Sequence, residues 1–217
     1  MKLAFAPGCA LMIYKPQLAE RVLRFLWDTG REVSSHLTCC RHEPHLAPGT
    51  LVINTCAGCD RRYREMYDGI TTASLWEIID QSDSFPFPDY QGKAMSIHDA
   101  CPTRTEDRVH VAVRNLLEKM NIRVVEPERT RSSAICCGDS AYGTLPVERV
   151  RELMSKRAAQ MACEDVVVYC ISCIKAMHIG GRRPRYMVDL LFGEETNIGE
   201  FEPDVWHEQL QQYIDEH

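Results

Sequence analysis

Two adjacent cysteines, in the stretch RSSAICCGDSAYG at residues 131–143, are the residues of this sequence that point most directly to chemistry. Neighbouring Cα atoms lie only about 3.8 Å apart across a trans peptide, whereas a relaxed disulfide needs roughly 5.5 Å. We therefore expect the two sulfurs to face a third group rather than each other. Because both sulfurs of one loop can reach the same metal group, the pair indicates metal or redox chemistry.

The cysteines occur in the same order twice along the chain. Each half has an apolar stretch that ends at one cysteine, then a Cys-Cys pair, and then a β-branched run that ends in CxxC. The matching stretches are LAFAPGCA and MSIHDACP, SSHLTCC and SSAICC, and LVINTCAGC and VVVYCISC. The first half supplies Cys9, Cys39, Cys40, Cys56 and Cys59, and the second half supplies Cys101, Cys136, Cys137, Cys170 and Cys173.

Several chemistries use cysteines in pairs. A secreted disulfide scaffold fits poorly, because the count of 11 is odd and the chain is long for that class. Structural zinc would use the two CxxC pairs and leave both Cys-Cys pairs without a role. A thioredoxin-like dithiol would need only one CxxC. Iron–sulfur clusters are also held by cysteine thiolates, and five per half require either a spare thiol or a bridging one.

The elements that must position these cysteines alternate between strands and helices. Alternation of this kind predicts an α/β fold with parallel sheets, in which ligands bind at the carboxyl ends of the strands. All three cysteine elements of each half are expected at such ends. The predicted strands are 2–6, 32–38, 51–55, 93–98, 122–126, 133–136 and 165–169. The predicted helices are 16–29, 56–67, 73–80, 105–121, 146–164, one from about 171, 185–192 and 203–215.

The segment SDSFPFPDYQG at 82–92 separates the two halves, because it has two prolines, a glycine and no periodicity. We expect a first cysteine-rich lobe at 1–84 and a second at 93–217. Between Cys-Cys and CxxC the first half has 15 residues and the second has 32. A parallel crossover needs a dozen or more residues plus turns, so the first lobe is predicted to be reduced by one helix.

Composition excludes some partners. A formal net charge of −6 gives no basic surface for nucleic acid, and no apolar run approaches the roughly 18 residues of a membrane span. The apolar stretch LAFA near the start is shorter than the roughly 7–15 residues of a signal-peptide core. We therefore expect a cytoplasmic protein.

The motifs IHDACPTR, AICCGDSAYG and VYCISC resemble the cysteine-rich CCG domain of the heterodisulfide reductase B-like family. The resemblance covers nearly the whole chain as two tandem copies. It implies two Rossmann-like lobes related by pseudo-twofold symmetry. It also implies one non-cubane [4Fe–4S] cluster per lobe, each held by the five cysteines of that lobe.

The activity implied by this resemblance is cleavage of a small disulfide or thiol-linked substrate between the two clusters. Electrons would come from a ferredoxin-like iron–sulfur subunit or a flavoprotein, because the chain has neither a CxxCxxCxxxCP run nor a GxGxxG fingerprint. Two alternatives stay open. One is an electron-transfer subunit of a dehydrogenase complex without its own substrate, and the other is a zinc-bound interaction module.

Residues beside the cysteines complete the predicted site. Gly138 is expected to allow a positive φ and a close approach to inorganic sulfide. In the first half Arg41 replaces this glycine, so that half departs from the family pattern. The Arg41 guanidinium is expected either to face an anionic cluster or substrate carboxylate, or to lie on an exposed loop. His42 is a candidate ligand or proton donor, with a solvated loop as the alternative.

Three further candidates match the family motif around Cys101. His98 and Asp99 are interpreted as residues that orient the cluster loop by hydrogen bonds or relay protons to a leaving thiolate. Arg104 is a candidate for binding an acidic group of the substrate.

Overall fold

Two four-stranded parallel sheets form the framework of the protein in this computed structural model, which describes residues 2–217. The chain divides between Phe85 and Pro86, inside the segment expected to separate the halves. The first unit consists of the residues up to Phe85 together with Gln209–His217, and the second unit is Pro86–Glu208. The last nine residues therefore belong to the first unit, although chain order assigns them to the second lobe. The reason is local packing, since Ile214 lies in an apolar cluster with Cys9 and Cys39.

The sheet of the first unit has the strand order β2-β1-β3-β4, with every neighbouring pair parallel. Its strands are β1 (Leu3–Ala6), β2 (Val33–Ser35), β3 (Leu51–Asn54) and β4 (Thr71–Ser74). Its helices are α1 (Cys9–Tyr14), α2 (Pro16–Asp28), α3 (Ala57–Met66) and α4 (Leu75–Asp80). A capping box formed by Ser74 and Glu77 fixes the start of α4 directly after β4.

The sheet of the second unit repeats this topology in the order β6-β5-β7-β8. Its strands are β5 (Lys93–His98), β6 (Ile122–Val125), β7 (Asp165–Val168) and β8 (Arg183–Tyr186). Its helices are α5 (Asp107–Lys119), α6 (Val147–Ala158), α7 (Ile171–Ile179) and α8 (Met187–Leu191). A last helix, α9 (Pro203–Glu216), begins in the second unit and ends in the first.

The predicted α/β class with parallel sheets is confirmed, and so is the missing crossover helix. The second unit has α6 between its second and third strands, whereas residues 36–50 of the first unit form no helix. Pro44 and Pro48 explain this difference, because proline cannot donate the backbone hydrogen bond that a helix interior needs.

The strand order also fixes where a ligand site belongs. In each sheet the chain moves from the first strand to one side and then returns to the other side, so the order reverses between the first and third strands. Ligands of such sheets bind at the carboxyl ends of the strands at this reversal. Cys9 and Cys101 follow the first strands β1 and β5, and Cys56 and Cys170 follow the third strands β3 and β7.

Some predicted elements were wrong. The predicted strand at 133–136 is absent, and Arg131–Ser133 instead forms a 3₁₀ turn. Reciprocal hydrogen bonds between Thr130 and Ser133 favour this turn over a strand. The predicted helix at 146–164 ends at Ala158, so the partly buried Cys163 lies beyond it.

Two strands were not predicted at all. TTAS and RPRY, which form β4 and β8, have no apolar alternation. Among the described residues, none of the helices is both long enough and apolar enough to cross a lipid bilayer.

Candidate metal centres

The five cysteines of the second unit come together in one continuous series of contacts, which we call the second thiol group. The Sγ of Cys101 lies 3.7 Å from the Sγ of Cys136. Cys136 is hydrogen-bonded to Cys137, Cys137 to Cys173, and Cys173 to Cys170. All five are free thiols.

The five cysteines of the first unit form a first thiol group with the same order of contacts. The Sγ of Cys9 lies 3.3 Å from the Sγ of Cys39. Cys39 is hydrogen-bonded to Cys40, Cys40 to Cys59, and Cys59 to Cys56. The structure thus brings all ten predicted ligands together as two groups of five, whereas metal binding by them stays a prediction.

The first cysteine of each Cys-Cys pair is the readily ionised one. Hydrogen bonds from Cys40 and Cys9 lower the pKa of Cys39 to about 2, and the hydrogen bond to Cys39 is the main cause that raises the pKa of Cys40 to about 12. In the second group, hydrogen bonds from Cys101 and Cys137 hold the pKa of Cys136 well below its usual range. Thiolates are the form that binds metals, so each group contains a thiol prepared for coordination.

Two glycines next to the thiol groups allow close packing, Gly8 against a thiol of the first group and Gly138 against α6. A Cβ on Gly8 would lie 3.3 Å from the Sγ of Cys59. Gly138 has the expected positive φ, at 112°, and its N–H donates to the Sγ of Cys136 over 3.3 Å. A Cβ on Gly138 would meet the backbone nitrogen of Met154 on α6 at 2.9 Å, so the close approach that this glycine permits is to α6.

Asp99 holds the loop that precedes the second Cys-Cys pair. Its buried carboxylate accepts hydrogen bonds from Arg114 over 2.8 and 2.9 Å, from the Thr130 hydroxyl and the Arg131 N–H, and from the Tyr169 hydroxyl. Burial opposes ionisation of this carboxyl, but the bonds from Arg114 and Arg131 outweigh it and lower the pKa. Asp99 therefore connects the end of β5 to the loop.

His98, the last residue of β5, lies fully buried beside two of the thiols. One of its ring nitrogens and the sulfurs of Cys137 and Cys173 lie within 4.8 Å of one another. Its Nδ1 accepts a hydrogen bond from the Nε of Arg157 over 3.2 Å, and its Nε2 has no partner among the described residues. Burial and the Arg157 charge lower the pKa of His98 to about 4.

The other predicted polar residues contact backbone or solvent. The Nε of Arg104 donates to the carbonyl of Ala134 over 2.6 Å, which ties the segment after Cys101 to the Cys-Cys loop. The Nε2 of His42 donates to the carbonyl of Ile214 over 2.7 Å. Arg41 is exposed on its loop.

Sequence reasoning missed Arg114 and Arg157, which bind Asp99 and His98. Arginine is mostly found exposed, so only the buried partners show that these two side chains belong to the site.

Comparison with known proteins supports a cysteine-rich domain in the second unit. The family model described as a cysteine-rich domain, CCG, matches residues 95–178. That range contains every cysteine of the second thiol group and none of the first. No curated protein matches the chain.

One similar solved structure is the glutamate racemase isoform RacE1 from Bacillus anthracis. It is 10% identical, with a TM-score of 0.39, and the alignment covers 98% of this chain and 82% of that one.

The donor sets fit a thiophilic metal or an iron–sulfur cluster. Thiolates are soft ligands that select zinc, copper(I) or iron–sulfur clusters. Each set is partly or fully buried and free of disulfides, and its single cysteine and its CxxC pair follow the strand ends where ligands bind. The cysteine-rich domain match and the two thiol groups together indicate metal or iron–sulfur binding.

Proposed function

We propose that this chain is an iron–sulfur oxidoreductase of the heterodisulfide reductase B type, with one four-iron cluster in each unit. The observation that supports it most strongly is that four contacts join the five thiols in the same order in both groups. The first group has this order although residues 95–178 alone match the cysteine-rich domain model.

Five contiguous thiols favour a cluster over a single zinc ion. Tetrahedral zinc takes four ligands, and a zinc site would leave one thiol of each group without a role. A cluster offers several irons and can accommodate a fifth, bridging sulfur. The contact between Cys136 and Cys137 supports this reading, because two sulfurs of one loop can both reach such a cluster.

The chemistry that a bound cluster supplies is the transfer of single electrons. The chain's own residues hold and orient the ligands. The Gly138 N–H and the Ser140 hydroxyl, with its oxygen 3.0 Å away, lie against the Cys136 sulfur and stabilise its thiolate. Asp99 and Arg104 fix the two loops that contribute Cys101 and the Cys-Cys pair.

The proposed substrate is a small disulfide or thiol-linked molecule. The electron donor is proposed to be a separate ferredoxin-like iron–sulfur subunit or flavoprotein, because the sequence has no fingerprint for a flavin or a conventional ferredoxin cluster. We place this activity in the cytoplasm, where thiols stay reduced.

Anaerobic reconstitution tests the cofactor. We expect about eight irons and about eight acid-labile sulfides per chain, as two four-iron clusters require. Cys136→Ser should remove about half of both, whereas Cys163→Ser, at the one cysteine outside both thiol groups, should remove none. Stoichiometric zinc without sulfide would contradict the proposal.

Disulfide turnover tests the activity. The reduced, reconstituted chain should be reoxidised by a small disulfide with release of two thiols, and its paramagnetic resonance spectrum should change on disulfide addition. Clusters that stay reduced in the presence of every disulfide tried would favour the electron-transfer alternative.

A further inference from the structure

We propose that Arg157 fixes His98 as the Nε2–H tautomer, so that His98 is a hydrogen-bond donor for the sulfurs of Cys137 and Cys173 once these bind a metal group as thiolates, rather than a metal ligand itself. A ring nitrogen of His98 and these two sulfurs lie within 4.8 Å of one another. Judged by distance alone, these three atoms could be the ligands of one metal ion.

The hydrogen bond from Arg157 decides the tautomer. A guanidinium carries only donors and stays protonated, so its Nε, 3.2 Å from the Nδ1 of His98, can only donate to that atom. The Nδ1 must then be unprotonated, and a neutral imidazole carries its hydrogen on Nε2.

Arg157 is itself held in place, so the tautomer of His98 is fixed as well. It is 2% exposed, and its other nitrogens donate to the side chain of Gln160 over 2.7 Å and to the carbonyl of Arg129 over 2.8 Å. The guanidinium cannot turn away without leaving buried donors unsatisfied, a loss that folded proteins avoid.

The same argument excludes His98 as a ligand. A histidine that binds metal through Nε2 usually donates its Nδ1–H to a carboxylate or carbonyl. His98 has a donor at that place instead. Its Nε2 is buried and makes no hydrogen bond among residues 2–217, so an N–H at this atom is left for an acceptor that the metal-free chain does not supply.

The pair of His98 and Arg157 has no counterpart in the first unit. The residue that corresponds to His98 at the end of the first strand is Ala6, which has no polar side chain. Arg157 lies on α6, the helix that the first unit lacks. Hydrogen bonds to the sulfurs are among the factors that set cluster potentials. Because this donor stabilises the more negative, reduced form, it favours a higher potential at the second thiol group.

The tautomer is testable on the metal-free chain, independently of any cofactor. Long-range ¹H–¹⁵N correlation spectra of histidine-labelled protein should show His98 as the Nε2–H tautomer. Arg157→Met should allow the Nδ1–H form to appear, whereas Arg149→Met, on the exposed side of α6, should not. An Nδ1–H tautomer in the unsubstituted chain would overturn the proposal.

Zinc titration of the same sample tests the ligand alternative. Zn²⁺ should bind the cysteines while the Nε2–H signal of His98 is retained. Replacement of that signal by a metal-bound Nε2 would show that His98 is a ligand and the inference wrong.

The effect on potential rests on the proposed iron–sulfur function. In the reconstituted chain, His98→Phe should lower the equilibrium constant for reduction of one cluster about tenfold, equivalent to about 59 mV for one electron. His98→Gln, whose amide N–H₂ replaces the Nε2 donor, should restore most of it, and the signal of the first-unit cluster should not move. Equal potentials in all three proteins would contradict the tuning role, whereas failure to assemble clusters would contradict the proposed function and leave the tautomer result standing.

Discussion

A methyl group added to Gly180 would lie 2.2 Å from the Cβ of Ala158, so the chain after α7 packs directly on the end of α6. This contact connects two functional elements, because α7 begins beside the CxxC pair of the second thiol group and α6 carries Arg157. A side chain at Gly180 would therefore force the end of α7 away from the end of α6, the helix that carries Arg157.

Gly180→Ala is expected to destabilise the metal-free chain by about 2 kcal/mol or more, because overpacking a filled contact typically costs roughly 1–3 kcal/mol. Gly181→Ala is the matched control. Gly181 has a φ of 75° and no atom within 4 Å of an added Cβ, so only backbone strain, about 1 kcal/mol, should appear there. Urea unfolding monitored by circular dichroism measures both. An equal loss in the two variants would show that the helix contact is not tight.

Gly138→Ala combines strain with a clash. Its φ of 112° disfavours any side chain, and the added Cβ would lie 2.9 Å from the Met154 nitrogen. We expect a loss of about 3 kcal/mol together with reduced metal uptake by the second thiol group, since the Cys-Cys loop must move. Gly143→Ala, with a φ of 76° and open space around it, should change stability less and metal uptake not at all. Unaltered uptake in Gly138→Ala would show that the loop tolerates displacement.

Asp99→Asn should destabilise the chain by about 3 kcal/mol, because removing one partner of a buried ion pair leaves the other uncompensated. Asp99 is fully buried, and Arg114 is 12% exposed on its side chain. Glu152→Gln breaks the exposed pair with Arg149 and should cost about 0.5 kcal/mol at most. Thermal and urea unfolding of the two variants under the same conditions check the contrast, and similar losses would refute the structural role given to Asp99.

The repeated cysteine spacing was enough to predict which sulfurs lie together, because the single cysteines and the CxxC pairs follow strands, and parallel strands end at one edge of a sheet. The Cys136-Cys137 pair reaches this edge from a loop, since the strand predicted before it does not form. The short, proline-containing link between the first Cys-Cys pair and its CxxC likewise predicted the missing helix. These features depend on local sequence and on the topology of parallel sheets, both of which a pattern can indicate.

The polar partners could not be predicted in this way. The bond between His98 and Arg157 joins residues 59 positions apart, and the sequence of α6 gives no sign that Arg157 is buried. The sequence RPRY of β8 has two arginines and a proline, so its hydropathy does not indicate a buried strand. Arg185 is nevertheless buried, and it pairs with Glu195. The place of residues 209–217 depends on packing against the first thiol group, which chain order does not reveal.

Buried histidines should make the metal-free chain less stable as the pH falls below about 6.5, the usual pKa of histidine. Burial lowers the pKa of His36 and of His110, so at mildly acidic pH the unfolded chain takes up protons that the folded chain does not. The stability is fully present above the unfolded pKa and is lost toward the lower folded pKa, by up to about 1.4 kcal/mol per pH unit for each histidine.

Replacement of one buried histidine isolates its share of this slope. His36→Phe should make the free energy of unfolding less dependent on pH between about 5 and about 6.5. Denaturant titrations at a series of pH values, on this variant and on the unsubstituted chain, measure the slope. A slope that His36→Phe does not alter would show that His36 titrates alike in the folded and unfolded chains.

The C-terminal residues should protect the first thiol group. Ile214 is 8% exposed and packs with Cys9 and Cys39, and the backbone carbonyl of His217 accepts a hydrogen bond from the Cys39 N–H over 3.1 Å. Ile214→Ala removes that apolar cover and should expose the readily ionised Cys39 to solvent. Alkylation by iodoacetamide, followed residue by residue with mass spectrometry, should then be several times faster at Cys39 and unchanged at Cys136. Gln212→Ala, which lies on the exposed side of the same helix, should alter neither rate. Parallel acceleration at Cys136 would mean that the substitution loosens the whole chain, and no acceleration at Cys39 would show that the helix does not cover the thiols.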